Sequence, residues 1–152
     1  MKRMRKIISL LAFALLFAGV VQLSNILFYT FAPFEHFITW EKFELIGMNG
    51  DSIFIKLTNR HVRGDIKASS VKELHRIEPE GLYQIPRACE LACEDFFVFE
   101  EENNDKDNRY EINWGTPITE PGDYFIVEHF TLYLPYGITK QKSLESKPYH
   151  LE

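Results

Sequence analysis

The chain has 152 residues, with 22 acidic against 17 basic side chains and a formal net charge of −5. The acid excess argues against a nucleic-acid-binding surface, which needs a basic face, and Cys89 and Cys93 are the only cysteines. Aromatic residues make up 14% of the chain, enough ring area for a packed core.

The charge is unevenly placed. Lys2, Arg3, Arg5 and Lys6 precede 28 residues, Ile7 to Phe34, that carry no formal charge. About 20 apolar residues cross a bilayer core, so the stretch is long enough to span. Residues 1–6 read as a cytoplasmic basic segment, 7–34 as a transmembrane anchor with its interface, and 35–152 as an outer domain. The helix is predicted over 7–29, with Pro33 disfavouring its continuation. Tyr29, Phe31, Phe34, Phe37 and Trp40 predict an aromatic belt at the far interface, and Glu35-His36 a short hinge. The competing reading is a cleaved signal peptide, whose basic start fits but whose small residues at −3 and −1 are not found after the apolar core. Lys and Arg are retained on the cytoplasmic side. All 22 acidic residues follow Phe34, against 13 basic ones, so the outer domain is expected outside the cytoplasm, periplasmic or extracellular. Ala14, Ala18 and Gln22, four residues apart, and Asn25 predict a face for helix–helix association. The alternative sets these polar groups near the outer headgroups.

Alternation of apolar and polar residues predicts strands thereafter. Phe43 to Ile46 and Ser52 to Thr58 read as a hairpin about the turn Asn49-Gly50-Asp51. Ser70 to Ile77 is either a helix, opened by a Ser70–Glu73 capping box, or another strand. Pro86 to Glu94 fits one or two helical turns, with Pro86 first. Phe96 to Glu100 and Tyr110 to Trp114 read as a second hairpin, joined by a polar loop. Asp123 to Leu134 alternates most clearly. There Glu128 interrupts the apolar face, predicting a bulge or a sheet edge. A last strand falls within Ile138 to Leu144. The expected fold is mostly β, a single transmembrane helix followed by a small β-sandwich with minor helix, the immunoglobulin layout being one form of it.

Chemistry-bearing patterns are sparse. Cys89 and Cys93 are spaced Cys-x-x-x-Cys rather than the Cys-x-x-Cys of redox and zinc motifs; a small structural disulfide and two free thiols are both open. Asn103, Asp105 and Asp107 alternate like the start of a calcium loop. Asn108 then stands where such a loop needs Gly, and Trp114 where it needs Glu, so the acidic run from Glu100 to Asp107 reads as a solvated tip. His36, His61, His75, His129 and His150 fall in no metal-ligand spacing. There is no Gly-x-Ser-x-Gly elbow and no phosphate-cradling loop. Arg63-Gly64-Asp65 spells an integrin-binding tripeptide and reads as a turn. No catalytic, cofactor or metal residue is predicted, and Glu128 and His129 are the candidate partner contacts.

These observations predict a single-pass extracytoplasmic binding or scaffolding protein, an accessory subunit of a membrane or envelope assembly. Its partners would be the lipid bilayer and a protein, or a second copy, met through the anchor helix or a sheet edge. One alternative is a phage- or mobile-element-encoded envelope protein. The other is a secreted or anchored hydrolase with a dispersed site.

Overall fold

The computed structural model describes residues 2–89, 93–104 and 106–152. Helix α1 runs unbroken over Lys2–Phe31. Within it Lys6–Phe31, with mean hydropathy 2.3, is long and apolar enough to cross a membrane. The backbone turns at Ala32-Pro33 into the single-turn helix α2 (Phe34–Phe37).

The rest of the chain is mostly β. The strands are β1 (Ile38–Thr39), β2 (Lys42–Asn49), β3 (Ser52–Thr58), β4 (His61–Val62), β5 (Ile66–Glu78), β6 (Gly81–Ile85), β7 (Glu94–Phe99), β8 (Asn108–Asn113), β9 (Gly122–Tyr133), β10 (Thr139–Glu145) and β11 (Tyr149–Leu151). Among the described residues they form sheets of two, six and three strands. Strand β5 organises the largest sheet. It pairs antiparallel with β9 along Lys67–Ile77 on one side. On the other side its first half takes β7 and its second half β6. The far side of β9 carries β10 and β11. The three-stranded sheet, in the order β2-β3-β8, lies over this one.

Two apolar clusters tie the layers together. Phe43, Leu45, Ile53, Ile55, Leu57 and Ile112 of the smaller sheet pack on Leu74, Tyr124 and Ile126 of the larger, with Trp114. Phe34, Phe37, Ile38 and Val62 pack on Ala68, Phe99, Phe130 and Leu132. An isolated parallel bridge, Glu44 to Lys147, joins the layers along one side. Along the other, β7 and β8 line the two walls of a cleft.

The hairpin β2/β3 forms as expected, with Gly50 at φ +63° in its turn, where a left-handed backbone favours glycine. Of the two forms open for Ser70 to Ile77, the strand is the one found: the segment lies within β5, where ladders on both sides override the local capping-box signal. Other expectations are corrected. Phe96 to Phe99 pairs with β5, and Tyr110 to Asn113 with β3, so the loop between them crosses from one sheet to the other. Glu128 makes no bulge: β9 pairs without a register shift from Asp123 to Tyr133 and lies inside the six-stranded sheet. The irregularity falls instead in β2, between Leu45 and Gly47. Strand β11 follows the last strand expected. Pro86 to Cys89 is loop and not helix, and residues 90–92 of the predicted helical turn lie outside the described residues.

The belt and the hinge are corrected as well. Phe34 and Phe37 are buried in the domain core, and Trp40 packs on Phe130 with ring centroids 5.3 Å apart. Tyr29 of α1 stacks on Phe37 at 5.9 Å. Glu35 is ion-paired with Lys142, and Lys140 Nζ donates to the Thr30 carbonyl near the end of α1. With these contacts the end of the helix is docked on the domain rather than hinged.

Candidate functional site: a charged cleft between the sheets

The strand pleat aims alternate residues inward. From β5 these include Ala68, Ser70 and Lys72; opposite them stand Asp95, Phe97 and Phe99 of β7 and Glu128, Phe130 and Leu132 of β9. Ile55 and Leu57 of β3 and Tyr110 and Ile112 of β8 supply the facing wall. The space enclosed is about 470 Å³.

Its floor is polar. Lys72 sits directly across from Glu128 in the β5/β9 register, and Nζ lies 3.0 Å from that carboxylate, 2.7 Å from Asp95 and 2.6 Å from Ser70 Oγ. The Lys72 and Glu128 side chains are 8% and 6% exposed. An ammonium has three protons, and here three acceptors take them. Burial pushes the Glu128 carboxyl above its ordinary range, although Lys72 opposes the shift. Burial also raises Asp95, but hydrogen bonds and charge from Lys72, then Arg87, outweigh it and hold that carboxyl below its ordinary range.

A serine oxygen 2.6 Å from a lysine nitrogen invites comparison with Ser–Lys hydrolases. The hydrogen bond runs the wrong way for that chemistry. Lys72 donates to Ser70, its remaining protons are committed to the carboxylates, and Ser70 is only 1% exposed.

Two arginines flank the floor. Arg87 comes from the segment after β6, which is held by the Ala88 N–H donating to the Trp114 carbonyl at 3.0 Å. Its guanidinium lies 5.6 Å from the Trp114 ring and 3.3 Å from Asp95. Gly115 makes the approach possible: its φ is +74°, and a Cβ there would stand 2.7 Å from the Ala88 carbonyl. Arg60, between β3 and β4, is 4% exposed. It donates to the Glu100 and Asn103 carbonyls at 3.2 and 3.4 Å and lies 5.2 Å from the Phe99 ring. Among the described residues no carboxylate lies within ion-pair distance of Arg60, and the Nε atoms of both arginines are buried without a partner.

Sequence reasoning did not find this constellation. Lys72, Arg87 and Arg60 lie 56, 41 and 68 positions from Glu128, and only the fold brings them together. Glu128, expected at a contact surface, is 5% exposed and belongs to the cleft floor; His129, on the outer face, bonds Ser143 Oγ at 2.7 Å. The acidic run is not a free tip. Asn104 exchanges two hydrogen bonds of 2.7 Å with the Val62 backbone, Asp65 accepts from the Glu101 N–H, and Asp107 pairs with Lys56. Asp105 of the calcium-like pattern lies outside the described residues, and no cluster of three or more metal-ligating side chains occurs among those described. The sulfurs of Cys89 and Cys93 lie at bonding distance, with Cα atoms 5.7 Å apart. Ala14, Ala18, Gln22 and Asn25 all lie exposed along α1. No protein-family model, curated protein sequence or solved structure matches the chain.

Proposed function

We propose that this chain is a single-pass membrane protein that holds a β-sandwich binding domain against the outer face of the bilayer, as an accessory subunit of a membrane assembly. The observation that carries this reading is the junction. Helix α1, uncharged from Ile7 to its end at Phe31 and long enough to span, passes through Ala32-Pro33 into α2, whose Phe34 and Phe37 are core residues of the domain. Residues of α1 itself join the domain, Tyr29 against Phe37 and Tyr136 and the Thr30 carbonyl with Lys140, contacts that a segment destined for removal does not need. A docked helix fixes the domain's height and tilt over the lipid, which suits a part that must meet a neighbour in the same membrane. The charge asymmetry across the helix supports this orientation.

Two surfaces would serve the contact. One is the helix face of Ala14, Ala18, Gln22 and Asn25, where small residues permit close approach and amides hydrogen-bond across helices. The other is the outer face of β7, β5 and β9. There Phe96 is 70% exposed and stacks on Tyr133 at 6.5 Å beside exposed Val71 and Val98. Large rings left in water beside apolar neighbours mark contact surfaces. This patch replaces the Glu128–His129 edge as the expected contact.

Photo-crosslinking in intact membranes tests the reading. A photoreactive residue at Ala18 or Phe96 is expected to give one discrete adduct with a membrane protein, or with a second copy. The same residue at exposed Lys147 is the control. No adduct above that control at either position would contradict the accessory role.

A further inference from the structure

The cleft poses a question that anchoring does not answer. Arg60 is buried and carries a charge. An ion removed from water is costly unless an opposite charge accompanies it. Lys72 has Asp95 and Glu128, and Arg87 shares Asp95. With Glu128 ionised, three cations among the described residues face two carboxylates, leaving one positive charge over, and Arg60 is the one of these without an ionic partner. Glu111 also borders the cleft, but it is exposed, points to the other face of β8 and accepts from Ser52 Oγ at 2.9 Å. Arg60 Nε and Arg87 Nε are both buried without an acceptor, so the unmet demand is for acceptor atoms as well as for charge.

The walls define the remainder of the ligand. Phe97, Phe99 and Phe130 stand on one side and Ile55, Leu57 and Tyr110 on the other. A volume of about 470 Å³ is that of a small-molecule site, where apolar walls take the body and a few polar groups fix one end. A planar guanidinium suits a planar carboxylate with two acceptor oxygens. One surplus positive charge is neutralised by a monoanion; a phosphate dianion would leave negative charge in a buried place.

We infer that the cleft binds a small organic monocarboxylate, its carboxylate on Arg60 and its apolar body among Phe97, Phe99 and Phe130. This goes beyond the anchoring reading and does not depend on it, because the site lies wholly within the β domain.

Calorimetry on the full chain in phosphatidylcholine nanodiscs, with empty discs as blank, tests it. The probes are 4-phenylbutanoate, its neutral amide and inorganic phosphate. The acid is expected to bind saturably, one per chain, and the amide about tenfold to a hundredfold more weakly, the worth of a charged hydrogen bond. Phosphate is expected to bind at least as weakly as the amide. Arg60→Gln should abolish the preference for acid over amide. Because Arg60 also holds the Glu100 and Asn103 carbonyls, Phe97→Ala supplies a second variant, expected to weaken acid and amide in parallel. Absence of saturable binding by the acid overturns the inference. So does equal binding of the amide, which would mark an apolar hole, or equal binding of phosphate, which would mark an adventitious anion only.

Discussion

At Lys72 one ammonium is divided among a hydroxyl and two carboxylates, and the carboxylates respond to it differently. Asp95, shared with Arg87 and 41% exposed in its side chain, is held as a carboxylate. Glu128, sealed behind the sheet, is pushed toward its protonated form. The signs of their contributions to stability are opposite. Asp95 stabilises the fold above its unfolded value of about 3.8, and that stabilisation is lost as pH falls through its lower folded value. Glu128 stabilises below about 4.5, and its contribution is lost as pH rises through its higher folded value. Denaturation followed by tryptophan fluorescence should therefore find greatest stability in mildly acid solution, with a decline toward neutrality. Glu128→Gln should flatten the neutral decline and leave the acid limb in place. An unchanged neutral slope in that variant would show that Glu128 does not titrate as described. Alternation places the residue on the core face of its strand, where an isolated carboxylate predicts a bulge or a sheet edge. What rescues it is Lys72, 56 positions earlier, in a segment whose local pattern fitted a helix as well as a strand. Local periodicity carries the face on which a side chain lies; it does not carry the partner that makes a charge tolerable there.

Among the elements, the short segment from Pro86 to Cys89 bears most on the cleft, since it presents Arg87. Its anchorage rests on Gly115. Replacing Gly115 by Ala combines a left-handed backbone with a Cβ pressed on the Ala88 carbonyl. The expected cost is about 2–3 kcal/mol, with the Arg87–Asp95 contact loosened, measurable as a lower urea midpoint. A change under about 0.5 kcal/mol would show that the segment is free to move away. The cysteines close this same segment onto the start of β7. Their spacing left bonded and free thiols open, because a separation of four is compatible with either until the backbone between them is known. The strands themselves were largely legible: β2, β3, β8 and β9 follow their alternating patterns. Their pairing was not, since β7 and β8 are joined by a loop of hairpin length yet belong to different sheets. Arg60, Asp65 and Asn104, which hold that loop across the gap, are ordinary polar residues in sequence.

The protein as a whole is a long apolar helix followed by a β domain of packed sheets, the two meeting at Tyr29 and Phe37. In the sequence, Phe34, Phe37 and Trp40 looked like rings settling among headgroups, because they follow an apolar stretch at the right distance. In the fold, Phe34 and Phe37 are buried and Trp40 packs on Phe130, and Tyr29 near the end of α1 stacks on Phe37, so the helix end is docked against the domain. Under the proposed anchoring, a domain held this way would keep one face toward the lipid, and the patch around Phe96 and Tyr133 would stand at a constant height above the membrane. The central claim is that the helix stays attached and the domain lies outside. Protease treatment of right-side-out membrane vesicles, followed by carbonate washing and intact-mass measurement, tests it directly. Before protease, the carbonate-resistant chain should still carry residues 7–34; after external protease, the region from Glu35 to Glu152 should be degraded. A soluble chain lacking the first 34 residues, or a domain cut only when protease is enclosed within the vesicles, would contradict it.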